Sequence, residues 1–95
     1  MSMHVGILSI RLRLSDTESL KDKRQIIKSL VQTTRQKFNV SIAEIDDLDS
    51  FRRATVGVAS IANDKRFLNE VLDKIVDTVE SNPAVEVVGV EMDLD

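Results

Sequence analysis

Arginine and lysine supply most of the chemistry that this sequence offers by residue type and spacing. Arg11 and Arg13 alternate with leucines, Arg52 and Arg53 stand side by side, and Lys21, Lys23, Arg24 and Lys28 crowd one short stretch. A guanidinium presents a planar fork of donors that matches two oxygens of a phosphate or carboxylate. Basic residues repeated along one helix flank neutralise the phosphates of a nucleic acid. Asp46, Asp47 and Asp49 lie just before the arginine pair. Two readings of this charge therefore stand side by side. One is a salt-bridge network that caps one end of a sheet, the usual use of clustered surface charge. The other is an anion contact through Arg11, Arg13 and Arg53.

No constellation for catalysis assembles beside these residues. The chain has no cysteine, which excludes thiolate metal sites, disulfides and a cysteine nucleophile. His4 is the single histidine and stands at the start of the chain, so the serines have no histidine partner to activate them. Gly6, Gly57 and Gly89 are isolated within apolar runs and form no phosphate loop. The Asp46-Asp47-Leu48-Asp49 run lacks the spacing and glycine of a calcium loop. The sequence reads as a binding module and not an enzyme, with no cofactor implied.

Positioning the basic residues requires a sheet and two helices. Residues 4–14 alternate, with Leu8, Ile10, Leu12 and Leu14 on one face and Val5, Ile7, Ser9, Arg11 and Arg13 on the other. A slip of one residue would bury two guanidinium groups, which fixes the register. Ser19, followed three residues later by Asp22, predicts a capped helix start. An apolar stripe of Leu20, Ile27, Leu30, Val31, Thr34 and Phe38 then predicts a helix over 20–38. Strands are expected over 40–45, 53–61 and 85–94. A second helix, capped by Asn63 or Asp64 and stopped by Pro83, is expected between the last two. Two strand–helix–strand halves joined by a hairpin imply an α+β, ferredoxin-like βαββαβ sandwich. Right-handed crossovers give the antiparallel sheet the order 4-1-3-2, with both helices on one face, in a single domain spanning 1–95.

Only one sheet face is then covered. On the open face the pattern places Val5, Ile7, Ala59, Ile61, Val85 and Val87, an apolar set that predicts a dimer or partner surface. Strand one runs antiparallel to strand three, so Arg11, Arg13 and Arg53 converge at one end of the same face. Phe38 and Phe67 fit helix core positions, which leaves no aromatic platform for stacking bases. The helical lysines and arginines form a second candidate surface.

Charge is unevenly spread. Residues 1–45 carry eight basic and four acidic groups (+4), residues 46–63 two and three (−1), and residues 64–95 three and nine (−6), which sum to the net charge of −3. The N-terminal residues show no leader pattern and no apolar run is long enough to span a bilayer, so the expectation is a cytoplasmic protein without membrane contact.

Several segments together resemble the YlxP-like family. They are His4-Val5-Gly6-Ile7-Leu8, Ser19-Leu20-Lys21-Asp22-Lys23-Arg24, Lys28-Ser29-Leu30, Phe38 to Glu44, and Arg53 to Asp64. The family carries Leu-Trp before the strand-three basic pair, where this chain has Ser50-Phe51. The resemblance implies a small bacterial ferredoxin-like domain of unknown function. Its genes often sit beside those of translation initiation factor two and ribosome-binding factor A, which implies a ribosome or ribosomal RNA partner by association. The expected contacts are Lys21, Lys23, Arg24 and Lys28, with Arg11, Arg13 and Arg53. The alternative is a homodimeric regulatory or scaffold domain, similar in outline to ACT modules, that holds a small ligand or a protein on the open face.

Overall fold

The computed structural model describes residues 1–95. Alternation of leucines and isoleucine with polar residues makes β1, His4–Arg13. The Ser19 hydroxyl accepts the Asp22 backbone N–H and starts α1, Leu20–Lys37. The helix ends where Phe38 turns to extended backbone, with its N–H donating to the Thr34 carbonyl. Next come β2, Ser41–Asp46, and β3, Arg53–Ala62. Asp64 caps α2, Lys65–Glu80, by accepting the backbone N–H groups of Arg66 and Phe67. The chain closes with β4, Glu86–Leu94. The sheet is antiparallel throughout, in the order β2-β3-β1-β4, which is the expected ferredoxin-like order read from the other edge.

One core lies between the sheet and the helices. Leu8, Ile10, Leu12 and Leu14 of β1 and its extension meet Ala54, Val56 and Val58 of β3, with Ile27 and Leu30 of α1 and Leu72, Ile75 and Val79 of α2 above them. Gly6 also faces the helices. A Cβ there would stand 2.7 Å from Leu72 Cδ1 and 3.2 Å from Leu68 Cγ, so the close approach of α2 requires glycine.

The structure corrects the expected face of two β4 residues. Val85 and Val87 pack against the core and do not lie on the open face. The register between β1 and β4 shifts between Arg11 and Leu12: Leu12 pairs with Val87, whereas Arg11 pairs with Gly89. One additional β4 residue, Val88, is accommodated there, and a bulge of this kind reverses the alternation on either side of it. Beyond the bulge, Met92 pairs with Leu8 and packs against the core, whereas Val90 pairs with Ile10 and stays 42% exposed. Phe67 also departs from expectation. It is exposed on α2, while Leu68 beside it takes the core position.

Candidate functional site: a basic end and an apolar open face

Strand pairing brings the arginines to one end of the open face. Arg13 pairs across from Arg53 and Arg11 from Thr55, and Arg52 continues from Arg53 into the preceding loop. The Arg11 guanidinium lies across Gly89 of β4, in space that any side chain at position 89 would fill. Arg11, Arg13, Arg53, Asp47 and Val88 border a cavity of about 310 Å³. The loop that carries Arg52 and Arg53 is tied to the β1–α1 connection. Leu14 N–H donates to the Arg52 carbonyl at 2.9 Å, and the Thr17 hydroxyl reaches the Leu14 and Phe51 carbonyls from a buried position. The Arg52 guanidinium sits over the Phe51 ring, 5.5 Å from its centroid.

The salt-bridge network does not form. Arg13 approaches Glu86 at 3.5 Å, with both side chains well exposed, and this is the single carboxylate contact among the four arginines. The loop carboxylates turn elsewhere. Asp46 accepts the Asp47 N–H, and Asp47, whose φ of 61° is positive, accepts the Thr55 hydroxyl at 3.0 Å. No three acidic or histidine side chains gather as metal donors. His4 Nδ1 lies 3.1 Å from the Asp95 carbonyl oxygen.

Lys21, Arg24 and Lys28 project from one exposed flank of α1. Arg35, farther along that flank, donates to the Ile42 carbonyl at 2.9 Å, which places the flank along the β2 edge. Lys23 is a correction to the expected contact set, because its side chain is 0% exposed. It falls in the helix stripe between Leu20 and Ile27. Its Nζ donates to the carbonyls of Asp47 (2.8 Å) and Arg53 (3.1 Å) and lies 2.8 Å from Glu44 Oε2. Burial removes it from any nucleic-acid surface and makes it the clamp that holds both ends of the β2–β3 connection. Its spacing from Leu20 and Ile27 was the signal, and the single inward carboxylate of β2, Glu44, was its partner.

The other end of the open face is apolar. Val5 pairs across from Ile61, and Ile7 from Ala59. Ile7 is 55% and Ile61 61% exposed, with Val5 and Ala59 exposed beside them. Ile45 of β2 folds over Gly57, where a Cβ would stand 3.0 Å from its Cδ1, and extends the patch across three strands. Asp93 and Glu91 border it on β4, opposite Ile7 and Ser9. No helix is long and apolar enough to cross a membrane.

The model of a family described as protein of unknown function, DUF503, matches residues 5–92. The uncharacterized protein YlxP of Bacillus subtilis strain 168 is 29% identical over 82 residues, which cover 86% of this chain and 89% of that protein. Among solved structures, a dimeric ferredoxin-like protein of unknown function from Thermobifida fusca YX aligns with a TM-score of 0.52 at 9% identity, covering 100% of this chain and 92% of that one. The de novo designed protein Foldit4 gives a TM-score of 0.52 at 17% identity over 96% of each chain. At such identities these two structures share the fold with this chain.

Proposed function

We propose that this chain, which belongs to the DUF503 family of proteins of unknown function, is a non-enzymatic module that binds the phosphate backbone of RNA through its basic end, in the setting of the ribosome. The observation that carries the reading is the set of four arginines at one sheet end with a single carboxylate contact among them. Unpaired guanidiniums held by a rigid sheet are prepared for phosphate oxygens without first breaking ion pairs. Lys21, Arg24 and Lys28 add a second row of charge along α1, on the other side of the loop that Lys23 clamps. Neither Asp22 nor Asp47 makes an ion pair with the arginines: Asp22 accepts the Glu18 N–H, and Asp47, which borders the arginine cavity, accepts the Thr55 hydroxyl. The ribosome is the RNA that the gene neighbourhood of YlxP-like proteins implies.

Pelleting of the purified protein with bacterial ribosomes and separated subunits, at low and moderate salt, tests this. Co-pelleting should fall with salt and with Arg13→Ala/Arg53→Ala or Lys21→Ala/Arg24→Ala/Lys28→Ala. Absence of pelleting at low salt would remove the ribosomal reading.

The apolar patch supports a second reading, a homodimeric regulatory or scaffold domain that uses the open face. The Thermobifida fusca protein of the same fold is described as dimeric. A thermal-shift screen of amino acids and nucleotides separates the two, because a small ligand that binds only the folded state must raise Tm.

A further inference from the structure

We propose that a second copy of this chain closes on the open sheet face, and that a phosphate-class anion held between the arginine ends of the two copies strengthens the pairing. This rests on the reading of the arginine end as an anion contact and adds to it a partner and a regulation.

The open face is self-complementary about a two-fold axis that runs along the strands between β1 and β3. Face-to-face sheets pack with their strands nearly aligned, and a two-fold contact uses one patch twice. That axis sets β1 of one copy over β3 of the other, and β4 over β2. Ile7 then falls opposite Ala59, a large side chain against a small one, and Val5 falls opposite Ile61. Asp93 and Glu91 of β4 fall opposite Ser41 and Ala43 of β2, so no carboxylate meets another there. The Arg11 guanidinium, lying over Gly89 on β4, falls opposite Asp46, which shares its level of the sheet through Thr55. A two-fold axis across the strands would instead set the arginine end of each copy over Val5 and Ile61, burying guanidiniums against aliphatic groups at a large desolvation cost.

The favoured axis has one unfavourable consequence. Arg13 of each copy meets Arg53 of the other, and Glu86 answers only one of the two arginines in each copy. Counting Arg11, Arg13, Arg52 and Arg53 of each copy against Asp46, Asp47 and Glu86 of each copy, eight guanidiniums face six carboxylates, which leaves a positive site between the copies. Like charges brought together destabilise an interface unless an anion lies between them. The apolar end therefore drives pairing, and the arginine end makes it depend on an anion.

Sedimentation equilibrium of the full chain in chloride, and in pyrophosphate at matched ionic strength, tests this. Pyrophosphate should tighten the monomer–dimer Kd at least tenfold. Arg13→Ala/Arg53→Ala should dimerise with the same Kd in both buffers. Ile7→Asp, shown folded by circular dichroism, should be monomeric in both. A wild-type chain that stays monomeric at all concentrations, or that dimerises with a Kd indifferent to pyrophosphate, overturns the inference. Anisotropy of a labelled oligoribonucleotide with the same samples separates this inference from RNA binding. RNA binding that persists while the dimer is absent or indifferent leaves the proposed function standing and this inference fallen. A dimer tightened by pyrophosphate without RNA binding does the reverse.

Discussion

Lys23 shows how one position can carry the geometry of a whole end of the molecule. It lies in a basic stretch, yet its ammonium donates to two carbonyls and stands 2.8 Å from the Glu44 carboxylate. Removing it leaves Glu44, largely buried, without its counter-charge, and Lys23→Ala should cost about 3–5 kcal/mol of stability in urea unfolding. Lys23→Met/Glu44→Leu should lose less than the two single changes added together, because the pair is coupled. Two glycines separate in the same way. Gly6→Ala presses on Leu72 and Leu68 in the packed core and should cost about 1–3 kcal/mol. Gly89→Ala meets only the flexible end of Arg11, so unfolding should change by less than about 1 kcal/mol while the Arg11 guanidinium is displaced from its place over β4.

At the scale of elements, both helices begin where the sequence marks them. Ser19 and Asp64 accept the first free N–H groups of α1 and α2, and Ser19→Ala or Asp64→Ala should each lower stability by about 1 kcal/mol in chemical denaturation. The strands behave differently. The pattern Val85-Glu86-Val87-Val88-Gly89-Val90 is compatible with either face, because valine is found at both even and odd positions. The bulge opposite Arg11 and Leu12 decides which valines enter the core, and it arises from fitting β4 to β1 and the helices above them. A second register shift, between Glu44 and Asp46, lets Ile45 fold onto Gly57 and widen the apolar patch. Neither shift follows from local alternation, which has no term for the neighbouring strand.

For the whole molecule, the sandwich separates two kinds of surface on one face, with aliphatic residues at the end where β1 begins and arginines at the end where it finishes. The basic flank of α1 lies apart from both, along the β2 edge. A surface built from phosphate contacts should show a log–log salt slope of about −0.7 per contact on single-stranded RNA. Fluorescence titration of an oligoribonucleotide across salt concentrations should therefore give a shallower slope for Arg13→Ala/Arg53→Ala. If Lys21→Ala/Arg24→Ala/Lys28→Ala leaves the slope intact, α1 lies outside the RNA footprint and the arginine end alone makes the contacts.

The sequence by itself determined the elements, their order, the Ser19 cap, the ferredoxin-like topology and the convergence of Arg11, Arg13 and Arg53, while leaving the second cap open between Asn63 and Asp64. Each of these follows from short-range spacing, from chain connectivity or from the handedness of crossovers. It placed Val5, Ile7, Ala59 and Ile61 on the open face by the same alternation. The tertiary structure decided which charges are free. Lys23 is drawn inside because Glu44 and two carbonyls lie within reach of its long side chain only after α1 packs on β2 and β3. Asp46 and Asp47 make no ion pair with the arginines, because Asp46 accepts the Asp47 N–H and Asp47 accepts the Thr55 hydroxyl. Val85 and Val87 go to the core because a sheet register is a property of two strands, and one strand's sequence cannot hold it.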